Sequence, residues 1–364
     1  MILAITAALR GYVDKHQIHV LEVGGRGGVF QHSLATCIAL TDRGHEVTLH
    51  TASDPEIEDK RVRLCRCFSW RRKTKIFRGP FIALGFIFLT IPHLLRNSGI
   101  FWIQGTFKPP LTMFAIAMLR LMRRRTIFSP HNLFLRYGSR LQAAFMTRCL
   151  RLANLVVSYN DNDAQELQAA GIRQSRIPLF MYYPVIAPKT VDYWRKKLRN
   201  VGAGVCAVGQ LRTDKNLPML IQAAALAETP LIVMGEDAGS LTEVKDTISR
   251  LPQARVAVFE GFYPLEDLAA VIALTGAVAL PYSVASQSGV AVLAKAYGAK
   301  VIAYGIGGLK EQTDITVGSL AAEDWQKVLK EHAVYDANRV VEITRMSSAS
   351  EVDSLTKLIG EMCS

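Results

Sequence analysis

Apolar residues along this chain fall into two patterns: short continuous runs, and longer stretches with apolar positions every three or four residues. The short runs read as buried strands of parallel sheets, the longer stretches as helices that cover them. The runs are IHVLEV ending at Val23, Glu46 to Thr51, Thr126 to Ser129, Leu152 to Ser158, Val205 to Val208, Leu231 to Gly235, Val256 to Gly261, Val278 to Leu280 and Lys300 to Tyr304. Helical patterns lie between them over Val29 to Arg43, Leu111 to Arg125, Asn160 to Ala170 and Leu217 to Ala227, and again after Gly289. Strand and helix in alternation predict an α/β chain. Prolines at 178, 184 and 188 mark a linker, so two domains are expected, at 1–188 and 189–345. The tail at 346–364 carries Val352, Leu355, Leu358, Ile359 and Met362 at helical spacing and is expected to return to the first domain.

Composition sharpens this picture. The 364 residues, half of them hydrophobic, suffice for two cores. The net charge of +12 is uneven: residues 1–200 hold 30 lysines and arginines against 12 acids, whereas 201–364 hold 13 against 19. The first half therefore expects an anionic partner. Its cations sit beside apolar runs instead of interleaving with aromatics, which favours an anionic membrane surface over nucleic acid. Arg71, Arg72, Lys73, Lys75 and Arg78 precede seventeen uncharged residues, 79–95. Interrupted by glycine and proline, that run suits a segment lying in the membrane interface better than a buried helix or a span. LTMFAIAMLRLMRRR, at 111–125, repeats the theme. MILAITAALRG lacks the basic leader of a signal peptide, and the six cysteines form no CxxC pair. A cytoplasmic protein with reduced thiols, held peripherally at the inner face of the membrane, is expected. Cys65 and Cys67 read as too isolated to hold a metal.

Candidate chemistry gathers at strand ends. Gly24-Gly25-Arg26-Gly27-Gly28 follows the first strand, the usual place for backbone to approach phosphate. The spacing is not GxGxxG and no acid closes the next strand at Leu49-His50-Thr51, which argues against a dehydrogenase. His131 follows the strand ending in Ser129-Pro130. In the second half, Gly209-Gln210-Leu211-Arg212-Thr213-Asp214-Lys215-Asn216 puts two cations, three residues apart, between a strand and a helix, where both can reach one diphosphate. Ser286-Gln287-Ser288-Gly289-Val290 precedes a helix N-terminus, which favours an anion, although an ordinary serine cap reads equally well. Gly235 and Gly261 end two further strands.

The stretch LPYSVASQSGVAVLAKAYGAKVIAYGIGGLKE at 280–311 resembles a bacterial, polysaccharide-type branch of the family 4 (group 1) retaining glycosyltransferases. GG-x-x-x-HS-x-A followed by GHEVTLHT resembles the opening of the same enzymes, and Gly209 to Asn216 their arginine–lysine clamp. The resemblance implies the GT-B fold, two Rossmann-like domains facing across a cleft. It implies a nucleotide-sugar substrate whose diphosphate meets Arg212, Lys215, Gln287, Ser288, Gly289 and Val290. Gly27 and Gly28 would touch donor phosphate or acceptor, and Gly209, Gly235 and Gly261 would let the donor approach the backbone. His131 would bind the transferred sugar and orient the acceptor. No cofactor and no metal are implied. Leu293 stands where many members carry a ribose-binding glutamate, and Ala285 or Ser286 stands near the other glutamate. The expected activity is retaining transfer to a lipid-linked or membrane-proximal saccharide in cell-surface polysaccharide synthesis. With no nucleophile in evidence, the base would be a phosphate oxygen of the leaving group. A donor-binding protein without turnover, and a basic nucleic-acid-binding protein, are the competing readings.

Overall fold

The structure, a computed structural model, describes residues 15–68, 98–105, 108–133, 139–202, 204–332 and 349–363. The basic and apolar segment at 71–95 lies outside them. The chain divides into two units, residues 1–178 with 349–364, and residues 179–348.

The first unit is built on seven parallel strands: β1 (Gln17–Leu21), β2 (Glu46–Ala52), β3 (Arg63–Phe68), β4 (Ile100–Gln104), β5 (Arg125–Ser129), β6 (Leu155–Ser158) and β7 (Gln174–Arg176), in the order β3-β2-β1-β4-β5-β6-β7. The inner strands are largely apolar because helices cover both faces: all five residues of β4, IFWIQ, are buried. Its helices are α1 (Gly27–Asp42), α2 (Pro109–Leu121), α3 (Arg140–Leu152) and α4 (Asp161–Ala169). Helix α1 begins at Gly27, two residues before the apolar periodicity, so both glycines join its first turn. A capping box between Ser139 and Gln142 starts α3, and the Asn160 side chain accepts from the Asp163 N–H to start α4. The strand expected from Leu152 starts only at Leu155, because α3 runs through Leu152 and Asn154 turns the chain. The Asn154 side-chain oxygen accepts from the Thr126 N–H (3.0 Å) and hydroxyl (2.9 Å).

The second unit has six parallel strands, β8 (Val205–Val208), β9 (Leu231–Gly235), β10 (Val256–Glu260), β11 (Ala277–Leu280), β12 (Lys300–Tyr304) and β13 (Ile315–Val317), ordered β10-β9-β8-β11-β12-β13. Its helices are α5 (Pro188–Leu198), α6 (Leu217–Leu226), α7 (Leu241–Arg250), α8 (Leu265–Thr275), α9 (Gly289–Ala296), α10 (Leu309–Gln312) and α11 (Ala322–His332). Val205, Leu220, Leu231, Val233, Ile302 and Trp325 centre its core. The division between units falls at Pro178, earlier than the boundary at 188 suggested by the prolines. Residues before α5 are tied into the second unit: Glu266 accepts from the Ala187 N–H (2.8 Å) and the Thr190 hydroxyl (2.7 Å), and Trp194 donates to Asp267 (2.7 Å).

The final helix α12 (Ala349–Cys363) belongs to the first unit. It buries Leu355, Leu358, Ile359 and Met362, and Asp353 pairs with Arg43 of α1 at 2.6 Å. Each sheet reverses its winding direction once, between β1 and β4 and between β8 and β11. The carboxyl ends of those strand pairs are where open α/β sheets bind ligands.

Candidate functional site

In the second unit, the loops after β8 and β11 flank the switch point and are bonded to each other. The Ser283 N–H donates to the Asp214 carbonyl (2.9 Å), and the Asn216 side-chain amide donates to the Pro281 carbonyl (2.8 Å). The first loop closes in a 3-10 turn, Thr213–Lys215, and Asn216 adopts a left-handed backbone (φ 46°) before α6 begins. The Arg212 guanidinium is held by both carboxylate oxygens of Asp214, at 2.9 and 3.2 Å, and remains about 30% exposed. Lys215 is buried; its ammonium donates to the Val208 carbonyl (3.0 Å) and stands 5.4 Å from the centre of the Tyr282 ring.

The structure brings several predicted site residues together here. A Cβ placed on Gly209 would sit 3.3 Å from the Lys215 ammonium and 3.9 Å from Val290 in the first turn of α9. That helix starts where expected: the Ser288 hydroxyl accepts from the Ala291 N–H (3.3 Å), and the Ser288 N–H donates to Gln312 (2.7 Å). Gly289 and Val290 thus open α9 beside Gly209 and Lys215. Gly235 neighbours them on β9, where a Cβ would lie 2.1 Å from the Gly209 carbonyl oxygen. Close packing of the two strand ends therefore requires glycine at 235. Gly261 continues the row, its N–H donating to the Gly235 carbonyl (3.0 Å). Two buried or half-buried cations and a helix N-terminus converge on one sheet edge, an arrangement suited to a diphosphate. Leu293 and Ala285 are buried and apolar, and Glu260 is engaged by Lys245 (3.2 Å).

The carboxyl edge of the first unit has different chemistry. Glu22, one residue beyond β1, is buried and accepts from the N–H groups of Gly24 (2.7 Å) and Gly25 (2.8 Å) and from the Thr51 hydroxyl (3.1 Å). Burial outweighs these bonds and pushes its carboxyl up to about 7. Glu56 accepts from the Gly27 N–H (3.1 Å) and from Gln31 (2.8 Å), and burial raises its carboxyl as well. The first N–H of α1 is therefore engaged by a carboxylate, and a phosphate reaching Gly27 and Gly28 must displace it. Arg26 stands at the same turn, 3.9 Å from Asp54.

His131 lies after β5 in a left-handed backbone (φ 59°), a conformation that costs a non-glycine residue about 1–2 kcal/mol. Its Nε2 is 2.8 Å from the Gln104 side-chain oxygen, and its ring stacks on Tyr159 with centroids 5.0 Å apart. Tyr159 in turn bonds His32 Nε2 (2.9 Å) and Gln104 (3.3 Å). Burial, and secondly the neighbouring His32, hold His131 well below the ordinary imidazole range, so it is neutral near pH 7. The buried Gln104 amide nitrogen has no hydrogen-bond partner among the described residues. A neutral imidazole beside an unsatisfied amide donor suits a hydroxyl group better than an anion.

Nothing local in the sequence singles out Glu22, Glu56, Gln104 or Tyr159. Only strand pairing shows that β4, β5 and β6 end side by side and so gather Gln104, His131 and Tyr159. His32 was visible only within the family-like string.

Residues 26–179 match the family described as Glycosyltransferase Family 4. No curated protein matches the chain. Among solved structures, it is similar to sucrose-phosphate synthase from Thermosynechococcus elongatus, at 18% identity and a TM-score of 0.67, covering 96% of this chain and 95% of that one. The fold is GT-B. The catalytic domain of starch synthase IV from Arabidopsis thaliana, bound to ADP and acarbose, gives 12% identity and a TM-score of 0.68, with 95% and 99% of the chains covered. A glycosyltransferase involved in lipopolysaccharide biosynthesis gives 14% and 0.58, with 95% and 94% covered. The domain match is to a glycosyltransferase family, and the GT-B fold agrees with it.

Proposed function

We propose that this GT-B protein moves a sugar from a nucleotide-sugar donor to a lipid-linked or membrane-proximal saccharide, with retention, in cell-surface polysaccharide synthesis. The convergence of Arg212, Lys215 and the α9 N-terminus at the β8/β11 switch point carries this reading. Arg212 and Lys215 balance the charge that grows on the leaving diphosphate, and the N–H groups of Gly289 and Val290, beside Gln287 and Ser288, supply donors, so this step needs no metal. A phosphate oxygen of the leaving group takes the acceptor proton, with no protein nucleophile. Gly209, Gly235 and Gly261 form the floor against which the nucleoside lies.

His131 and Gln104 bind sugar hydroxyls in the first unit, their orientation fixed by Tyr159 and His32. Gly27 and Gly28 meet the donor phosphate when Glu56 releases the Gly27 N–H. The α2–α3 pair supports the acceptor assignment. Phe114 and Leu121 on α2 and Leu141 on α3 are exposed, and the run Arg123 to Arg125 follows α2, a combination of apolar and basic groups suited to a membrane surface. A cavity of about 250 Å³ lined by His16, Gln17, Arg123, Arg124 and Arg125 adds an anion-binding recess at the amino ends of β1 and β5. Among the described residues no helix is long and apolar enough to cross a membrane. Peripheral attachment to the inner face of the cytoplasmic membrane fits this arrangement.

Thermal melting with UDP, GDP and ADP tests the donor site, because a ligand bound only by the folded state raises the melting temperature. One of the three is expected to stabilise the wild type and to leave Arg212→Ala/Lys215→Ala unmoved. No shift with any of them would remove the donor site from the proposal.

A further inference from the structure

Cys65 and Cys67 stand two residues apart on β3, Cys67 at the irregularity where the register with β2 shifts between Thr51 and Ala52. Strand register places Cys65 opposite His50 of β2. The candidate ligand atoms of His50, Cys65 and Cys67 all lie within 4.8 Å of one another. His50 is 1% exposed, Cys67 is 9% exposed and Cys65 is half-buried.

The imidazole is held from behind. His19 Nε2 lies 3.2 Å from the Ser98 carbonyl oxygen, and His19 Nδ1 lies 3.1 Å from His50 Nε2. A carbonyl only accepts, so neutral His19 carries its proton on Nε2 and accepts through Nδ1. His50 must then donate through Nε2, which leaves its Nδ1 unprotonated. Metal-ligating histidines have their second nitrogen held by a hydrogen bond, as His50 has here.

We infer that His50 Nδ1, Cys65 Sγ and Cys67 Sγ form a site for one zinc ion. Two thiolates and an imidazole are a borderline-soft ligand set that suits zinc and offers nothing to magnesium or calcium, which prefer oxygen. Two thiolates also cancel the charge of the ion, so the buried complex is neutral. Zinc–sulfur and zinc–nitrogen bonds of about 2.3 and 2.0 Å put tetrahedral ligand atoms roughly 3.5–4 Å apart, so the three side chains close by about 1 Å. Binding transfers two thiol protons to solvent, and water takes the fourth corner. Strand β3 is the edge of its sheet, so the ion would clip that edge to β2 just before residue 69. The site belongs to the first unit, takes no part in donor binding and stands whether or not the glycosyltransferase reading does.

The test is metal content by mass spectrometry on untagged full-length protein from zinc-supplemented cells. About one zinc per chain is expected, falling to background in Cys65→Ser/Cys67→Ser and in His50→Ala but kept in Cys206→Ser. Exchange into cobalt should give a thiolate-to-cobalt charge-transfer band in the wild type alone. Should the variants fail to fold, site-resolved alkylation of the wild type decides. A chelator should speed modification of Cys65 and Cys67 and leave Cys206 unchanged. Protein without zinc or a cobalt band, alkylation indifferent to chelator, or a Cys65–Cys67 disulfide would each overturn the site.

Discussion

The two sheets reverse at equivalent places, yet their carboxyl edges carry opposite chemistry. The edge of the second unit presents Arg212, Lys215 and a serine-capped helix. The edge of the first unit holds a buried carboxyl, Glu22, and a half-buried one, Glu56, under its glycine turn and surrounds His131 with neutral groups. Winding order fixes where a ligand meets each sheet, and the residues on the two flanking loops fix its charge. The neutral group around His131 on the first edge suits hydroxyls, whereas the cations of the second suit phosphate.

The largest expected effect is on the second edge. Arg212→Ala/Lys215→Ala should lower sugar transfer by about 10²–10³-fold, measured as turnover at saturating acceptor, because preorganised charge is lost where the leaving group develops it. Equal turnover would erase the electrostatic contrast between the edges.

Next in size is the response of the first edge to pH. Glu22 keeps its proton in the fold up to about pH 7, against an ordinary 4.5. The folded state therefore binds more protons between those values, and its stability falls as pH rises through that window. The loss is on the order of 3 kcal/mol and is complete above about pH 7. Denaturant melts from pH 4.5 to 7.5 should show this slope in the wild type and a flatter one in Glu22→Gln. Matching slopes would mean that burial does not govern this carboxyl.

Tyr159→Phe removes the hydroxyl that joins His32 to Gln104. It should cost about 1–2 kcal/mol of stability and slow transfer while leaving nucleotide-induced stabilisation intact. Loss of the nucleotide shift in this variant would show that the edges do not divide the work. The smallest effect is expected from Ser288→Ala: about 1 kcal/mol of stability from the missing cap, and less than about tenfold in nucleotide affinity, because the backbone N–H donors remain.

The sequence shows the strands and the second edge well, because both are local. A continuous apolar run such as Leu231 to Gly235 has few ways to fold, and Arg212, Lys215 and Asn216 lie within one short loop. The first edge is assembled from Glu22, Glu56, Gln104, His131 and Tyr159, on loops that sequence distance hides. The thiol pair illustrates the same limit. Cys65 and Cys67 look solitary until register sets His50 across from them. Boundaries slipped where a local bond overrode periodicity, as Asn154 did at the start of β6 and Glu266 before α5.

The bonds from Ser283 to Asp214 and from Asn216 to Pro281 have a consequence in time. They join two surface loops that enter the chain nearly seventy residues apart, so neither loop can open without breaking the other's anchorage. Local unfolding there is one cooperative event. The half-site holding the two cations and the half-site at the helix start appear and vanish together, and a ligand never meets one without the other.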